Sequence, residues 1–322
     1  MTSYFLISPS GDAYENLARD ELLLRRLAPD SVALYLYVNA RAVIIGRNQN
    51  PYIECDLSKL DADNVQLVRR LSGGGAVYHD GGNLNYSFLA PEGLYDQQRQ
   101  TGVILEALKE FGIAAEVRGR NDLTANGYKF SGTAFCQLGA NRLQHGTLLI
   151  DSDLSALPKY LTPSPLKLQA KGIKSVRARV CNLREMSERI SVSAMQAALR
   201  RTFEKEYGAP EPYPMDESFF SDLETLKQQR MARKWRIGES PRYDVELETR
   251  LSAGLFRLCL NVAGGVISDC RVYSDCLDEN LPAQIAQCLT SASFEKSALQ
   301  RALTPMGESA NELIDWLNKT TI

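Results

Sequence analysis

Three consecutive glycines, Gly73 to Gly75, follow Ser72 and the basic pair Arg69-Arg70, and His79-Asp80 comes four residues later. Bare backbone at three successive positions can present several amide N–H groups to an anion, or let a planar group lie against the main chain. The same residues also suit the corner of a glycine-rich hairpin, and glycine counting does not separate the two. The glycines run into Ala76-Val77 rather than Lys-Ser, so this is no P-loop, and neither a GxGxxG with a downstream acid nor a GxSxG nucleophile elbow is present.

Other residues able to do chemistry are scattered. His79 and His145 are the chain's two histidines, both in polar, glycine-marked stretches, and without cysteines at ligand spacing they do not make a structural zinc site. A histidine so placed is either structural or functional, and sequence leaves that open. Asn121 and Asp122, in "GRNDL", have the chemistry to hold a magnesium ion that arrives with phosphates, since such ions take one or two carboxylates plus substrate oxygens. Lys129, in "YKFSG", opens a β-rich run and reads as either a solvated surface residue or a point charge in a site. The stretch 171–183, "KGIKSVRARVCNL", carries Lys174 and Arg177 with Val180 just beyond, the composition of a basic face or of a phosphate-gripping loop.

The elements that must position these groups can be read from periodicity. Residues 32–38 and 42–45, "AVYHD" and "LNYSFLA" read as strands. Ile104, Ala107, Leu108 and Phe111 make one face of a helix that Gly112 ends. Residues 128–138 and 142–150 are expected to form a hairpin about Gly139-Ala140-Asn141, with Lys129 and His145 in its arms. Helices are expected over 193–206 and 216–234, after which Gly238, Ser240 and Pro241 break the pattern. Beyond, three period-two runs from 242 to 273 and helix-like segments to the end make a small α+β unit.

Length and composition agree. The 322 residues favour two domains, divided near residue 242 into 1–242 and 243–322. A net charge of −2 gives no global electrostatic reason for nucleic-acid binding, and no apolar run is long enough for a bilayer. Seven cysteines, odd in number and never spaced CxxC, suit free thiols in a reducing compartment, and a cytoplasmic protein without nucleic-acid or membrane partners is expected.

Taken together and in order, "GRNQNP" (46–51), "RRLSGGGAVYHDGGN" (69–83), "GRNDL" (119–123), "KFSGTAF" (129–135), "HGTLL" (145–149) and the 171–183 stretch closely resemble the bacterial lipoate-protein ligases, nearly end to end. The small unit's "WRIGESPRY" (235–243) is similar to that family's entry into its accessory domain. The resemblance implies an α/β (α+β) fold: a biotin-ligase-like catalytic domain of mixed sheets flanked by helices, with a small C-terminal α+β accessory domain. It implies ATP-dependent activation of lipoate to lipoyl-AMP with release of pyrophosphate. The lipoyl group then passes to one lysine of lipoyl domains, those of 2-oxoacid dehydrogenase E2 subunits and the glycine cleavage H protein. By carry-over, Ser72, Gly73, Gly74, Gly75, His79 and His145 bind lipoate. Arg70, Gly75, Ala76, Val77 and Tyr78 meet ATP, and Lys129 is catalytic and touches both substrates. Mg2+ falls to Asn121 and Asp122, while Lys174, Arg177 and Val180 belong to the loop over the adenylate. The base that deprotonates the acceptor lysine is not assigned.

Two alternatives frame this. Octanoyl-transferring relatives of the same fold work through a cysteine from a preformed donor, and "GRNDLTANG", where they carry it, has none; Cys136 is the nearest thiol, in β-rich surroundings that favour an inert role. A DNA-binding regulator would need a helix-turn-helix, which the chain does not display.

Overall fold

The computed structural model describes residues 1–162, 180–237 and 243–320. Lys174, Arg177 and the division at 242, expected from the sequence, fall outside them. The strands are β1 (Thr2–Ile7), β2 (Ser31–Val38), β3 (Ala42–Ile45), β4 (Gln66–Arg69), β5 (Val77–His79), β6 (Asn83–Pro91), β7 (Ala115–Arg118), β8 (Asp122–Ala125), β9 (Tyr128–Leu138), β10 (Asn141–Leu149), β11 (Val245–Leu251), β12 (Gly254–Ala263) and β13 (Val266–Ser274).

A seven-stranded sheet, in the order β1-β2-β6-β10-β9-β8-β7, forms the centre. Only β1 and β2 pair parallel; the other neighbours are antiparallel. β2 is apolar at nearly every position because both of its faces are covered. Val32, Leu34 and Leu36 pack with helices Gln97–Lys109 and Val192–Tyr207, while Ala33, Tyr35 and Tyr37 pack with helices Ala13–Arg26 and Glu217–Met231. Each helix begins where an acid or serine side chain accepts a first-turn amide: Asp12 from Tyr14, Asp96 from Arg99, Ser191 from Ala194 and Asp216 from Phe219. The helix expected to reach 234 ends at Met231, where Ala232 turns to ψ 136.

A small sheet β4-β3-β5 lies beside the second face, with Ile44 and Val68 joining that core. β11, β12 and β13 form an antiparallel meander backed by helices Leu281–Leu289, Lys296–Leu303 and Asn311–Lys319, with a core of its own. This C-terminal unit sits on the first through two backbone bonds and one side-chain bond: the Gly74 amide donates to Cys276 O at 2.9 Å, Ser274 N to Asn48 O at 2.8 Å, and Asn48 Nδ2 to Glu279 O at 2.8 Å.

Candidate active site

Both arginines ahead of the glycines turn inward. Arg69 donates to the carbonyls of Gly46, Arg47, Gln49, Trp235 and Arg236, tying β4 to the loop after β3 and to the short helix Arg233–Arg236. Arg70 donates from Nη2 to Gly73 O (2.7 Å) and Gly75 O (2.9 Å), from Nε to Ser72 Oγ (3.1 Å), and from Nη1 to Ile44 O (3.3 Å). The guanidinium thus shapes the glycine loop from inside. Burial lowers both arginines to about 10, so they stay charged at neutral pH, and neither has an ion pair among the described residues. A buried positive charge without a counter-ion favours an anion nearby.

The three glycines have three different reasons. A Cβ on Gly73 would lie 2.2 Å from Cys276 O, so this residue lets the C-terminal unit approach. Gly74 has φ +92°, in the left-handed region, and its carbonyl lies where a Cβ on Gly46 would come within 2.1 Å. Gly75 has nothing within 4 Å of a Cβ position. Of the three, Gly74 and Gly75 line a cleft of about 390 Å3, while Gly73 lies behind it against Cys276.

That cleft brings together Arg70, Gly74, Gly75, Ala76, Val77, His79, Asn121, Asp122, Lys129 and His145, although they span 76 positions of sequence. Ser72 and Tyr78 are outside its wall. Ser72 is fully buried, and Tyr78 stacks on Tyr160 at 5.5 Å between centroids. Val180 bridges to Lys129 through backbone, and Cys181 N donates to Lys129 O at 3.0 Å, so the chain beyond the basic stretch starts at the lysine.

Lys129 owes its place to an irregularity. Along β8, Leu123 pairs with Ser131 and Thr124 with Lys129, so Phe130 is an extra residue, and it buries fully in the core. A bulge of this kind re-aims its neighbour. The ammonium then lies across Gly132, where a Cβ would come within 3.2 Å of it, and pairs with Asp122 at 2.6 Å. Asn121 is pinned opposite: its carbonyl accepts from Thr133 N at 2.7 Å and its Nδ2 donates to Thr133 O at 3.0 Å. Asn121 and Asp122 both line the cleft, and an amide and a carboxylate are residue types suited to a hard cation shared with phosphates.

Sequence reading missed three things here. Asp20, on the first helix, accepts from His145 Nδ1 at 3.1 Å, and His145 Nε2 lies 2.6 Å from Ser72 Oγ. Both ring nitrogens of His145 are therefore engaged by protein, and only ring carbon is left for a ligand. Asp20 stands between Arg19 and Glu21, and nothing in the sequence marks it out from those neighbours. Second, Tyr37 and Asn85 close the buried end. Third, Arg250, Ser252, Asp275 and Leu277 of the C-terminal unit form the opposite wall, a long-range arrangement with no local signal.

No cysteine lines the cleft. Cys136 is buried, and burial together with the adjacent Glu279 carboxylate pushes its thiol up, opposite to what a nucleophile needs.

Comparison with known proteins agrees with this geometry. Residues 12–204 match the lipoyl protein ligase A/B catalytic domain, and residues 240–317 match the bacterial lipoate protein ligase C-terminus. The chain is similar to lipoate-protein ligase A of Psychrobacter cryohalolentis (38% identity, 94% of each chain) and to that of Bdellovibrio bacteriovorus (36%, 97% of each). Among solved structures it resembles P. falciparum LipL1 in complex with lipoate, with TM-score 0.87 and 29% identity over 99% of this chain and 100% of that one. A lipoate-protein ligase A bound with ATP matches 74% of this chain and 99% of its own, with TM-score 0.65 and 26% identity. The bi-partite ligase of Thermoplasma acidophilum, studied with its E2 lipoyl domain, matches 76% of this chain and 100% of its own, with TM-score 0.66 and 27% identity. The chain belongs to the lipoate-protein ligase family.

Proposed function

We infer that this chain is an ATP-dependent lipoate-protein ligase that forms lipoyl-AMP and passes the lipoyl group to a lysine of an acceptor domain. The observation that carries the reading is the meeting of Lys129 with the glycine loop in one cleft whose wall also holds the buried Leu17, Ile44 and Tyr37. Lipoate carboxylate must approach the α-phosphorus of ATP against charge repulsion, so the site has to supply fixed positive charge and amide dipoles. Lys129 supplies a point charge between carboxyl and phosphate, and Arg70 adds buried charge behind Gly73 and Gly75. Gly75, Ala76 and Val77 offer backbone to the nucleotide, while Leu17, Ile44 and Tyr37 suit the acyl chain.

Mg2+ fits Asn121 and Asp122, where it would offset the charge of the departing pyrophosphate. The acceptors are lipoyl domains of E2 subunits, supported by the archaeal relative, and the glycine cleavage H protein. Free thiols at all seven cysteines suit a cytoplasmic setting, and no described helix is long and apolar enough to cross a membrane. We take residues 1–242 as catalytic and 243–322 as accessory. The thioester-transferase alternative is disfavoured by the state of Cys136. Lipoate-dependent exchange of labelled pyrophosphate into ATP tests the reading, and its absence in the intact protein would refute it.

A further inference from the structure

Asp20 is a buried carboxylate to which the chemistry above gives no task. It sits in the middle of helix Ala13–Arg26, between two charged residues that have ordinary ion pairs: Arg19 with Glu15, and Glu21 with Arg25 and Arg230. Among the described residues Asp20 has no lysine or arginine at ion-pair distance. Its Oδ2 accepts from His145, and its Oδ1 has no hydrogen-bond partner there. A carboxylate in such a place costs free energy unless another group answers its charge.

The group that answers it is Arg70, reached through two side chains. A guanidinium can only donate and a carboxylate only accept, so the two ends set the direction of the bonds between them. Arg70 Nε shares its hydrogen between Ser72 Oγ and Gly73 O, both at 3.1 Å. The Ser72 hydroxyl then donates to His145 Nε2 at 2.6 Å, and His145 Nδ1–H donates to Asp20 Oδ2 at 3.1 Å. Arg70 is 9% exposed, His145 7%, Asp20 3% and Ser72 0%, so water does little to screen this line, and aligned bonds in a dry place polarise one another. Aspartate, histidine and serine in a row also have the form of an acyl-transfer triad. Ser72, however, has no exposed surface and its oxygen already accepts from Arg70, so it is no nucleophile. At the other side of the guanidinium, Nη2 holds the carbonyls of Gly73 and Gly75.

We propose that Asp20 is a positioning residue: through His145 and Ser72 it orients the Arg70 guanidinium and balances its charge, and so sets the glycine loop for the nucleotide. The nucleotide part rests on the ligase reading. In lipoate-dependent pyrophosphate exchange, Asp20→Asn, nearly equal in volume, is expected to raise the KM for ATP and lower kcat/KM roughly tenfold, with the KM for lipoate changed less than about twofold. Ser72→Ala cuts the same line in its middle and should cost about as much. The double variant should then lose little more than either single one, because residues acting as one unit are not additive. A residue that only packs locally gives losses that multiply to roughly a hundredfold, and one that serves the acyl pocket raises the KM for lipoate alone; either result, or an unchanged Asp20→Asn, would overturn the proposal. If Asp20→Asn does not fold, the 15N spectrum of the substrate-free native protein decides, since the chain has only two histidines. His145 is expected with its proton on Nδ1, and its Nε2 signal should move in Ser72→Ala; a proton on Nε2, or a signal that stays in place, contradicts the line to Asp20. Absence of exchange in the native protein would refute the ligase reading and the nucleotide part with it, while the spectrum, taken without substrate, still judges the line itself.

Discussion

At the scale of single residues, Lys129 carries the strongest prediction. Lys129→Ala should lower adenylate formation by at least roughly a hundredfold, because one preorganised donor to developing charge is worth about 3 kcal/mol or more. Thermal melting should barely change, since the ammonium is over a third exposed and its partner Asp122 is equally so. Near-normal pyrophosphate exchange in the variant would remove Lys129 from the chemistry. His79 gives a pH signature. Its folded value of about 3 lies below the ordinary 6.5, so the stability it confers is complete above about pH 6.5 and is lost as pH falls toward 3, at up to about 1.4 kcal/mol per pH unit. Urea midpoints measured from pH 7 to pH 4 should fall less steeply in His79→Leu than in the parent, and parallel slopes would contradict a buried neutral imidazole.

At the scale of elements, the glycine loop separates packing from binding. Gly73→Ala pushes a Cβ into Cys276 O and should destabilise the seating of the C-terminal unit, by the roughly 1–3 kcal/mol typical of overpacking. Gly75→Ala has open space and ordinary φ, so melting should be unchanged while the KM for ATP or lipoate rises. Loss of stability without a kinetic change at Gly75 would return the loop to a purely structural corner. Much at this level was legible in the sequence, because β2, β6, β9 and β10 are long and strongly patterned. Not all short strands were: β3 and β5 could be read, but β4, β7 and β8, with four residues each, show no clear period, β4 being fixed by pairing with β3 and β7 and β8 by their hairpin with β9. Likewise "RRLSGGG" could be singled out, yet that Arg70 grips the loop's own carbonyls depends on a turn that sequence spacing does not specify.

At the scale of the whole molecule, two units share one cleft. The wall formed by Arg250, Ser252, Asp275 and Leu277 was illegible because those residues meet the first unit only through tertiary docking. The same docking sets the character of Cys136, whose thiol lies against Glu279 of the other unit. Cys136→Ser should therefore retain most lipoylating activity per folded molecule, since no step needs a thiolate. Loss of acyl transfer in that variant would favour a covalent mechanism. The most direct test of the central claim is exchange of labelled pyrophosphate into ATP by the intact chain, with and without lipoate. Exchange is expected to require lipoate and to collapse in Lys129→Ala. No exchange, combined with ATP-independent transfer from an octanoylated carrier to an acceptor domain, would contradict it.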